Sequence, residues 1–437
     1  MVFKSITVVF CAVEFLFLFV RFSDTSVVDS SKQYSVEILV VVDPKAHQQW
    51  YSTVGGYTHS ARMLNTQAVI NQYVSALFAG MNVVLSSLKK YGIRLDVRIL
   101  DIVQAETLVT PSKERTVVQG NVAIQEFAYW LRNNRYSGFD HAMLLTGFTV
   151  AAGTNTKAEG IAYMGSMCSE SSISVVECKP SQNAALTAVH ELGHSLNASH
   201  DGEYNCCNRT SSYVMSSVRS GTSPSRWVFS ICSACSIKRQ MGALIRENDC
   251  LSPNQTSTRA VRSPYLGQLY SPDQICQMSF GHGSYVCRSM YRDAEDYSKL
   301  CQTIWCSAGG TNCTTVVGTD GTVCGHGKRC LAGTCVYFTD GPTDVSDSCP
   351  LGDSPGPVSR GNTCSDVISA STRNCLTSYF HNACCRSCEA LYTGNPACPY
   401  GDAASTCSLY HCLWGYADQC CATCSGQPTA EPTTDPY

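Results

Sequence analysis

Charge is scarce in this sequence and nearly balanced. Asp, Glu, Lys and Arg make up 15% of its 437 residues and leave a net charge of -3, and no long basic run is present. Nucleic acid needs a concentrated positive field, so it is not an expected partner. A disordered chain is poor in apolar residues, whereas here 44% are hydrophobic, so packed domains are expected. Long apolar runs are also missing beyond the first. After Arg21 no segment reads as apolar enough to cross a bilayer, which takes about 20 such residues.

What the sequence has in excess is cysteine: 28, crowded toward the C-terminal half. A cytosolic protein would have to keep that many thiols reduced, so the count points to an oxidising compartment and a disulfide framework. The N-terminus agrees. Lys4 precedes an apolar run over residues 6–20, followed by Arg21 and a Ser/Asp-rich stretch. This reads as a secretory leader over residues 1–23, with cleavage between 23 and 31. A short signal anchor is the alternative, and Glu14 inside the run suits neither, because a carboxylate is costly in a bilayer. The expectation is a secreted, extracellular protein with no membrane span after leader removal.

Residues 34–252 alternate strand and helix patterns. Residues 36–42 are an unbroken aliphatic run ended by Asp43-Pro44, the pattern of a buried strand. Val69, Tyr73, Leu77, Met81, Leu85 and Leu88 recur at helical spacing and predict a helix over 65–90 that stops at Gly92. Residues 94–103 alternate like a half-buried strand, 122–131 read as a second helix and 142–145 as a short strand. The predicted fold class is α/β, a mostly parallel twisted sheet with covering helices, followed by small disulfide-rich modules.

From 265 to 340 helical periodicity fades, and eight cysteines thread through glycine-rich turns. A linker near 339–348 leads to a repeat, over 349–388 and 398–424, with six cysteines in each copy. Both copies begin C-P-x-G-D and end C-C-x-x-C, so each can pair its cysteines internally. The Pro/Thr-rich residues 425–437 read as a disordered tail. Such modules are held by bridges more than by a core, and present surfaces for binding.

Residues 190–201 read H-E-L-G-H-S-L-N-A-S-H-D. On a helix, His190 and His194 lie one turn apart on the same face, so both imidazoles can reach one zinc ion. Ala184, Ala185, Leu186 and Ala188 are strong helix formers ahead of them. Glu191 is placed to take a proton from water instead of binding metal. His200 follows six residues after His194 and becomes the third ligand if the chain turns back. Three neutral nitrogens leave a fourth position for water, which zinc acidifies, and the same ion can polarise a scissile carbonyl. Peptide hydrolysis is the natural reaction. An ordinary amphipathic helix surface is the alternative for H-E-x-x-H alone, and the third histidine weakens it.

This motif, followed by Met215 in Y-V-M-S-S, resembles the metzincin zinc peptidases. Within them, His-Asp at the third histidine is similar to the adamalysin or reprolysin branch, which includes snake-venom metalloproteinases, ADAM and ADAMTS enzymes. Residues 270–336, from Y-S-P-D-Q-I-C-Q-M-S-F-G through Ile304, Trp305 and Cys306 to D-G-T-V-C-G-H-G-K-R-C-L-A-G-T-C-V, resemble the ADAMTS disintegrin-like and cysteine-rich segment, and all eight of its cysteines find counterparts.

The resemblance implies a secreted zinc metalloendopeptidase that cleaves extracellular proteins, matrix proteins among them, with His190, His194 and His200 as ligands and Glu191 as general base. Met215 becomes the turn beneath the zinc, plain core packing being the alternative. Gly160, Ile161, Ala162, Tyr163, Met164 and Gly165 are similar to the family's edge strand, which pairs with substrate backbone. Glu37 and Asp140 match a calcium site remote from the zinc, solvated surface carboxylates being the alternative; a further ligand position falls on Pro253, which offers only a carbonyl. Asn197 stands where most metzincins have Gly, and Asn tolerates the left-handed turn. No Trp-rich thrombospondin-type signature is visible. The family usually carries a long pro-segment; here the first expected strand begins about a dozen residues after the leader, which leaves open another route to latency or a start further upstream.

Sequons at Asn208, Asn254 and Asn312 are expected to carry glycans, and the one at Asn197 to stay bare beside the zinc. If Cys11 leaves with the leader, an odd number of cysteines remains. The unpaired one then lies among Cys168, Cys178, Cys206, Cys207, Cys232, Cys235 and Cys250, and one of the adjacent Cys206–Cys207 pair is expected to be free or to bridge to another chain. The competing function is a catalytically silent adhesion or toxin-like protein that uses its cysteine-rich modules; a matrix component is a third. The intact set of His190, Glu191, His194 and His200 favours the enzyme.

Overall fold

The computed structural model describes residues 28–108, 116–153, 158–178, 182–217, 223–247, 249–252, 264–292, 296–308, 312–402, 406–413 and 418–425. The expected leader, Pro253, Asn254 and the tail from 426 lie outside these residues. Strand β1 (Tyr34–Val42) is buried at every position, as a continuous apolar run requires when both faces are covered. Asp43 ends it and caps α1 (Pro44–Thr53), its Oδ1 accepting the Ala46 N–H at 2.6 Å with Pro44 in the first turn. Helix α2 (His59–Leu85) is capped by Thr58 and runs into a 3-10 turn that stops at Gly92, where φ is 73°. Strand β2 (Leu95–Gln104), β3 (Val117–Gln119), α3 (Gly120–Asn133), β4 (His141–Thr146), β5 (Thr149–Ala151), β6 (Gly160–Ala162), β7 (Ile173–Glu177), α4 (Gln182–Ser195) and α5 (Ile231–Glu247) complete this half.

The main sheet has the order β2-β1-β4-β7-β6. Its first four strands are parallel and β6 pairs antiparallel with β7 at the edge. Apolar layers lie on both faces. Ile38 and Val40 pack with Tyr73, Leu77, Met81, Val189 and Leu192 from α2 and α4. Leu39, Val41, Leu144 and Val175 pack with Ile124, Phe127 and Leu131 from α3. The mostly parallel α/β class read from the sequence is the fold observed.

The expectation that no later segment is apolar enough for a membrane needs correction. Residues His59–Tyr91 are long enough, and their most apolar 18-residue stretch has a mean hydropathy of 1.4. One apolar face, with Ile70, Tyr73, Leu77 and Met81, is buried in the cluster against the sheet, so the run is a core helix.

The first apolar cluster also continues into the cysteine-rich segment, taking in Leu266, Ile275, Val286, Tyr291, Leu300 and Ile304. That segment pairs its cysteines as Cys276–Cys306, Cys287–Cys313, Cys301–Cys330 and Cys324–Cys335. The two repeats share one connectivity, first cysteine to fifth, second to fourth, third to sixth: Cys349–Cys385, Cys364–Cys384 and Cys375–Cys388, then Cys398–Cys421, Cys407–Cys420 and Cys412–Cys424. The shared Asp of C-P-x-G-D has a physical role. Asp353 accepts the backbone N–H and hydroxyl of Ser387, and Asp402 those of Thr423. In each copy a carboxylate thus accepts hydrogen bonds from inside the C-C-x-x-C turn.

Cys207 bonds Cys232, Cys168 bonds Cys250 and Cys206 is itself disulfide-bonded. Among the described residues the free thiols are Cys178, buried after β7, and Cys235, half-buried on α5. Burial pushes the Cys178 thiol up to about 12. Burial also raises that of Cys235, where Arg239 and Lys238 pull the other way. Only the thiolate reacts. Alkylation of the native protein, mapped by mass spectrometry, is therefore expected at Cys235, with Cys178 labelled only after unfolding; labelling of Cys178 in the native state would contradict its burial.

Candidate metal centre

Helix α4 is built from small and aliphatic residues that pack into the core, with Ala188, Val189, Leu192 and Leu196 fully covered. It ends at Ser195 because the chain turns left-handed at Asn197, φ 67°. The Ala198 N–H reaches back to the Gly193 carbonyl at 2.9 Å, satisfying a carbonyl the helix end would orphan. Asn is one of the few side chains that accept this conformation readily. The reversal brings His200 back over His190 and His194.

His190 Nε2 lies 3.1 Å from His194 Nε2 and 3.2 Å from His200 Nε2. The outer nitrogens are all engaged: His190 Nδ1 faces the Val214 carbonyl at 2.7 Å, His194 Nδ1 the Ala198 carbonyl at 2.9 Å, and His200 Nδ1 the Glu203 carboxylate at 3.1 Å. A carbonyl or carboxylate oxygen can only accept, so each Nδ1 carries the proton and each Nε2 presents a lone pair. Three lone pairs converging on one point suit a cation. Tetrahedral zinc with bonds of about 2.0–2.1 Å sets its nitrogens roughly 3.3 Å apart, close to the spacing seen. The donor set therefore fits zinc, with outer-shell acceptors fixing the tautomers.

Met215 is fully buried against the helix that carries His190 and His194. A Cβ on Gly193 would come within 2.5 Å of its sulfur, so only glycine lets helix and turn approach this closely. Asp201, to which the sequence assigned no role, ties the two together. Its N–H donates to the Met215 carbonyl at 2.9 Å, and its buried carboxylate accepts from Ser230 at 2.6 Å and Ser233 at 3.2 Å on the approach to α5. Burial pushes this carboxyl up, against the two hydroxyls. Position after the third histidine was the signal available in the sequence.

Glu191 is 3% exposed and lies under strand β6. A Cβ on Gly160 would meet its Oε1 at 2.7 Å and its Cγ at 2.9 Å. Strand β6 ends the sheet order, so its outer edge has no strand neighbour among the described residues. The edge strand is shorter than expected: Gly160, Ile161 and Ala162 pair with β7, whereas Tyr163, Met164 and Gly165 leave it. Gly165 adopts φ 62° and donates its N–H to the His194 carbonyl at 2.9 Å, which bends the chain down onto the end of α4. Glu159, which the sequence reading missed, clamps the start of β6 to α4 through Asn183 and Thr187.

Glu37 and Asp140 are brought together. The Glu37 N–H donates to Asp140 Oδ2 at 2.8 Å and the Asp140 N–H to the Glu37 carbonyl at 3.0 Å. Glu37 is 7% exposed and Asp140 half-buried. Burial raises the Asp140 carboxyl to about 6, with the Glu37 amide opposing and the Glu37 carboxylate adding. Asn208 and Asn312 are exposed.

Residues 32–235 match the model of metallo-peptidase family M12, of reprolysin type, and residues 266–336 match ADAMTS cysteine-rich domain 2. Among similar proteins, a disintegrin and metalloproteinase with thrombospondin motifs 16 from Homo sapiens is 26% identical over 359 residues, covering 79% of this chain and 27% of that protein. The one numbered 18 from Mus musculus is 27% identical, covering 68% and 24%. The one numbered 1 from Rattus norvegicus is 32% identical, covering 46% and 21%. The chain thus spans about a quarter of the length of the curated relatives it matches. Among solved structures, archaemetzincin from Methanopyrus kandleri aligns with a TM-score of 0.27 at 15% identity, over 47% of this chain and 96% of its own.

The Gly193–Met215 contact gives a test of sign. In a free helix, Gly→Ala stabilises by about 1 kcal/mol, whereas overpacking a filled core costs about 1–3 kcal/mol. Gly193→Ala is therefore expected to lower the melting temperature; an unchanged or higher value would mean that the packing is looser than the contact implies.

Proposed function

We propose that this chain, which joins a metallopeptidase domain of family M12 to an ADAMTS cysteine-rich domain 2, is a secreted zinc endopeptidase acting on extracellular proteins. The observation that carries this reading is the convergence of three imidazole nitrogens next to a buried carboxylate under an open sheet edge. His190, His194 and His200 hold the zinc. Bound there, it supplies Lewis acidity, acidifying water and polarising a carbonyl oxygen. Glu191 takes the proton of the attacking water at its carboxylate and returns it to the departing amine. Its burial keeps bulk water from competing, and Gly160 holds it in place. The substrate backbone adds as a further strand along β6, pairing with Gly160, Ile161 and Ala162. Tyr163 and Met164, both exposed past the strand end, face side chains of the bound peptide. The dense disulfides suit an oxidising compartment, and glycans are placed on Asn208 and Asn312.

Glu191→Ala is expected to keep fold and zinc stoichiometry while slowing peptide cleavage by about 10²–10⁴-fold, the usual worth of a general base. His194→Ala is expected to lose zinc on dialysis as well as activity, because two imidazoles hold the ion poorly. The reading fails if Glu191→Ala retains wild-type proteolysis that a chelator abolishes.

Glu37 and Asp140 are proposed to hold a weak calcium ion. The Asp140 carboxyl is raised above its unfolded value, to about 6. The folded state therefore binds its proton more tightly, and stability falls as pH rises from about 4 to about 6. Calcium competes with that proton, so a modest rise in melting temperature is expected at pH 7.5, fading as pH falls below about 6 and absent in Asp140→Asn. A large shift at micromolar calcium would show a far stronger site.

A further inference from the structure

Within the apolar seam between the cysteine-rich segment and the first half, a hairpin tip meets Trp227 at close range. Lys328–Leu331 and Thr334–Tyr337 form a hairpin closed at Leu331 and Thr334, so Ala332 and Gly333 make a two-residue turn, with φ of 49° and 75°. Positive φ at both positions is the type I′ geometry, easy for glycine and uncommon for alanine. Ala332 is held in it. Its N–H donates to Asp320 Oδ1 at 2.8 Å, and Asp320 is 1% exposed. Strained backbone persists where its surroundings over-determine it.

The turn is pressed against Trp227. A Cβ on Gly333 would come within 2.7 Å of Cζ3 and 2.9 Å of Cε3 of that ring. Trp227, 1% exposed, ends the short turn Pro224–Trp227. The next residue, Val228, accepts the Val214 N–H at 3.1 Å, and Val214 in turn accepts the proton of His190 Nδ1 at 2.7 Å. One ring contact and two hydrogen bonds thus connect the hairpin tip to His190. Trp227 and Val214 both belong to the apolar cluster that the two segments share.

We infer that the Ala332–Gly333 turn is a positioning element of the metal centre, acting through Trp227 on His190. This rests on the zinc-peptidase reading above. The cysteine-rich segment is then the outer support of the active site and not only an appended binding module. Gly333 is required at the tip because the ring lies where a side chain would go.

The test uses the full chain and two matched substitutions. Gly333→Ala puts one methyl against Trp227 at a positive-φ site. Gly327→Ala, at φ 66° in the same small sheet, imposes similar backbone strain, but its methyl meets only the Tyr337 ring, at 3.6 Å. Zinc affinity is measured by competition with a chelator, without turnover, and kcat and KM are measured on a short peptide. Both variants are expected to lose melting temperature. Gly333→Ala alone is expected to weaken zinc binding several-fold and to lower kcat more than it raises KM. In a Trp227→Phe background, where the ring is smaller, adding Gly333→Ala is expected to change zinc affinity little further. Equal zinc affinities in Gly333→Ala and Gly327→Ala, or the same loss with and without Trp227→Phe, would overturn the inference. A wild-type chain that binds no zinc would overturn the function reading itself, which separates the two failures.

Discussion

Three neutral imidazoles turning their lone pairs toward one point, with neighbouring nitrogens 3.1–3.2 Å apart, form an arrangement that a protein interior does not adopt for its own stability. Each ring is fixed from behind by an oxygen that can only accept a proton, so none can relieve the crowding by changing tautomer. The rest of the protease half serves this constraint. The helix carrying two of the rings is buried so that it cannot tilt. The chain turns left-handed at Asn197 to return the third, and Gly193 lets Met215 pack against that helix. Asp201 then pins the Met215 turn to α5 through Ser230 and Ser233.

The sheet meets the same constraint from above. Parallel strands bury both faces of the sheet and leave only its edges open, and the proposed substrate strand would add at one of them. Strand β6 supplies that edge by running antiparallel at the end of the sheet. Its glycine at 160 brings the edge within contact of Glu191, so an added strand and the buried carboxylate would meet at one place. The bend at Gly165 keeps that edge short, because further pairing would lift the chain from the end of α4.

Much of this was legible in the sequence where the signal is local. Histidines one turn apart, a helix-ending residue and a third histidine fix a site within a dozen positions, and buried strands show as unbroken apolar runs such as 36–42. The repeats were legible as copies, and their internal pairing followed from six cysteines each. What escaped depends on distant partners. Thiol pairing in the protease half follows tertiary neighbours, and no local pattern marks Cys178 and Cys235, the free thiols among the described residues. Helix α2 holds a membrane-length apolar stretch that its interspersed Asn, Gln and Ser residues disguise in the sequence, and its packing on the sheet shows it to be core. No local pattern marks Gly333 as the partner of Trp227, or Asp353 as the carboxylate that caps its repeat.

The two junctions along the chain differ in kind, and that difference orders the modules. Between the protease half and the cysteine-rich segment the contact is apolar and continuous, from Leu266 and Ile275 to Tyr291 and Ile304. Such surface cannot be exposed without cost, so the boundary near 252 divides the sequence more than it divides the folded body. Between the cysteine-rich segment and the first repeat a buried guanidinium takes part. Arg288, 5% exposed, pairs with Asp273 at 2.7 Å and also donates to the carbonyls of Leu351, Gly352 and Asp353. Were the repeats absent, Arg288 would keep its carboxylate partner and meet water in place of the carbonyls, a smaller loss than an unpaired buried charge. The repeats, each closed by its own disulfides and its own Asp, are therefore the separable part, and the metal centre draws its support from the segment before them.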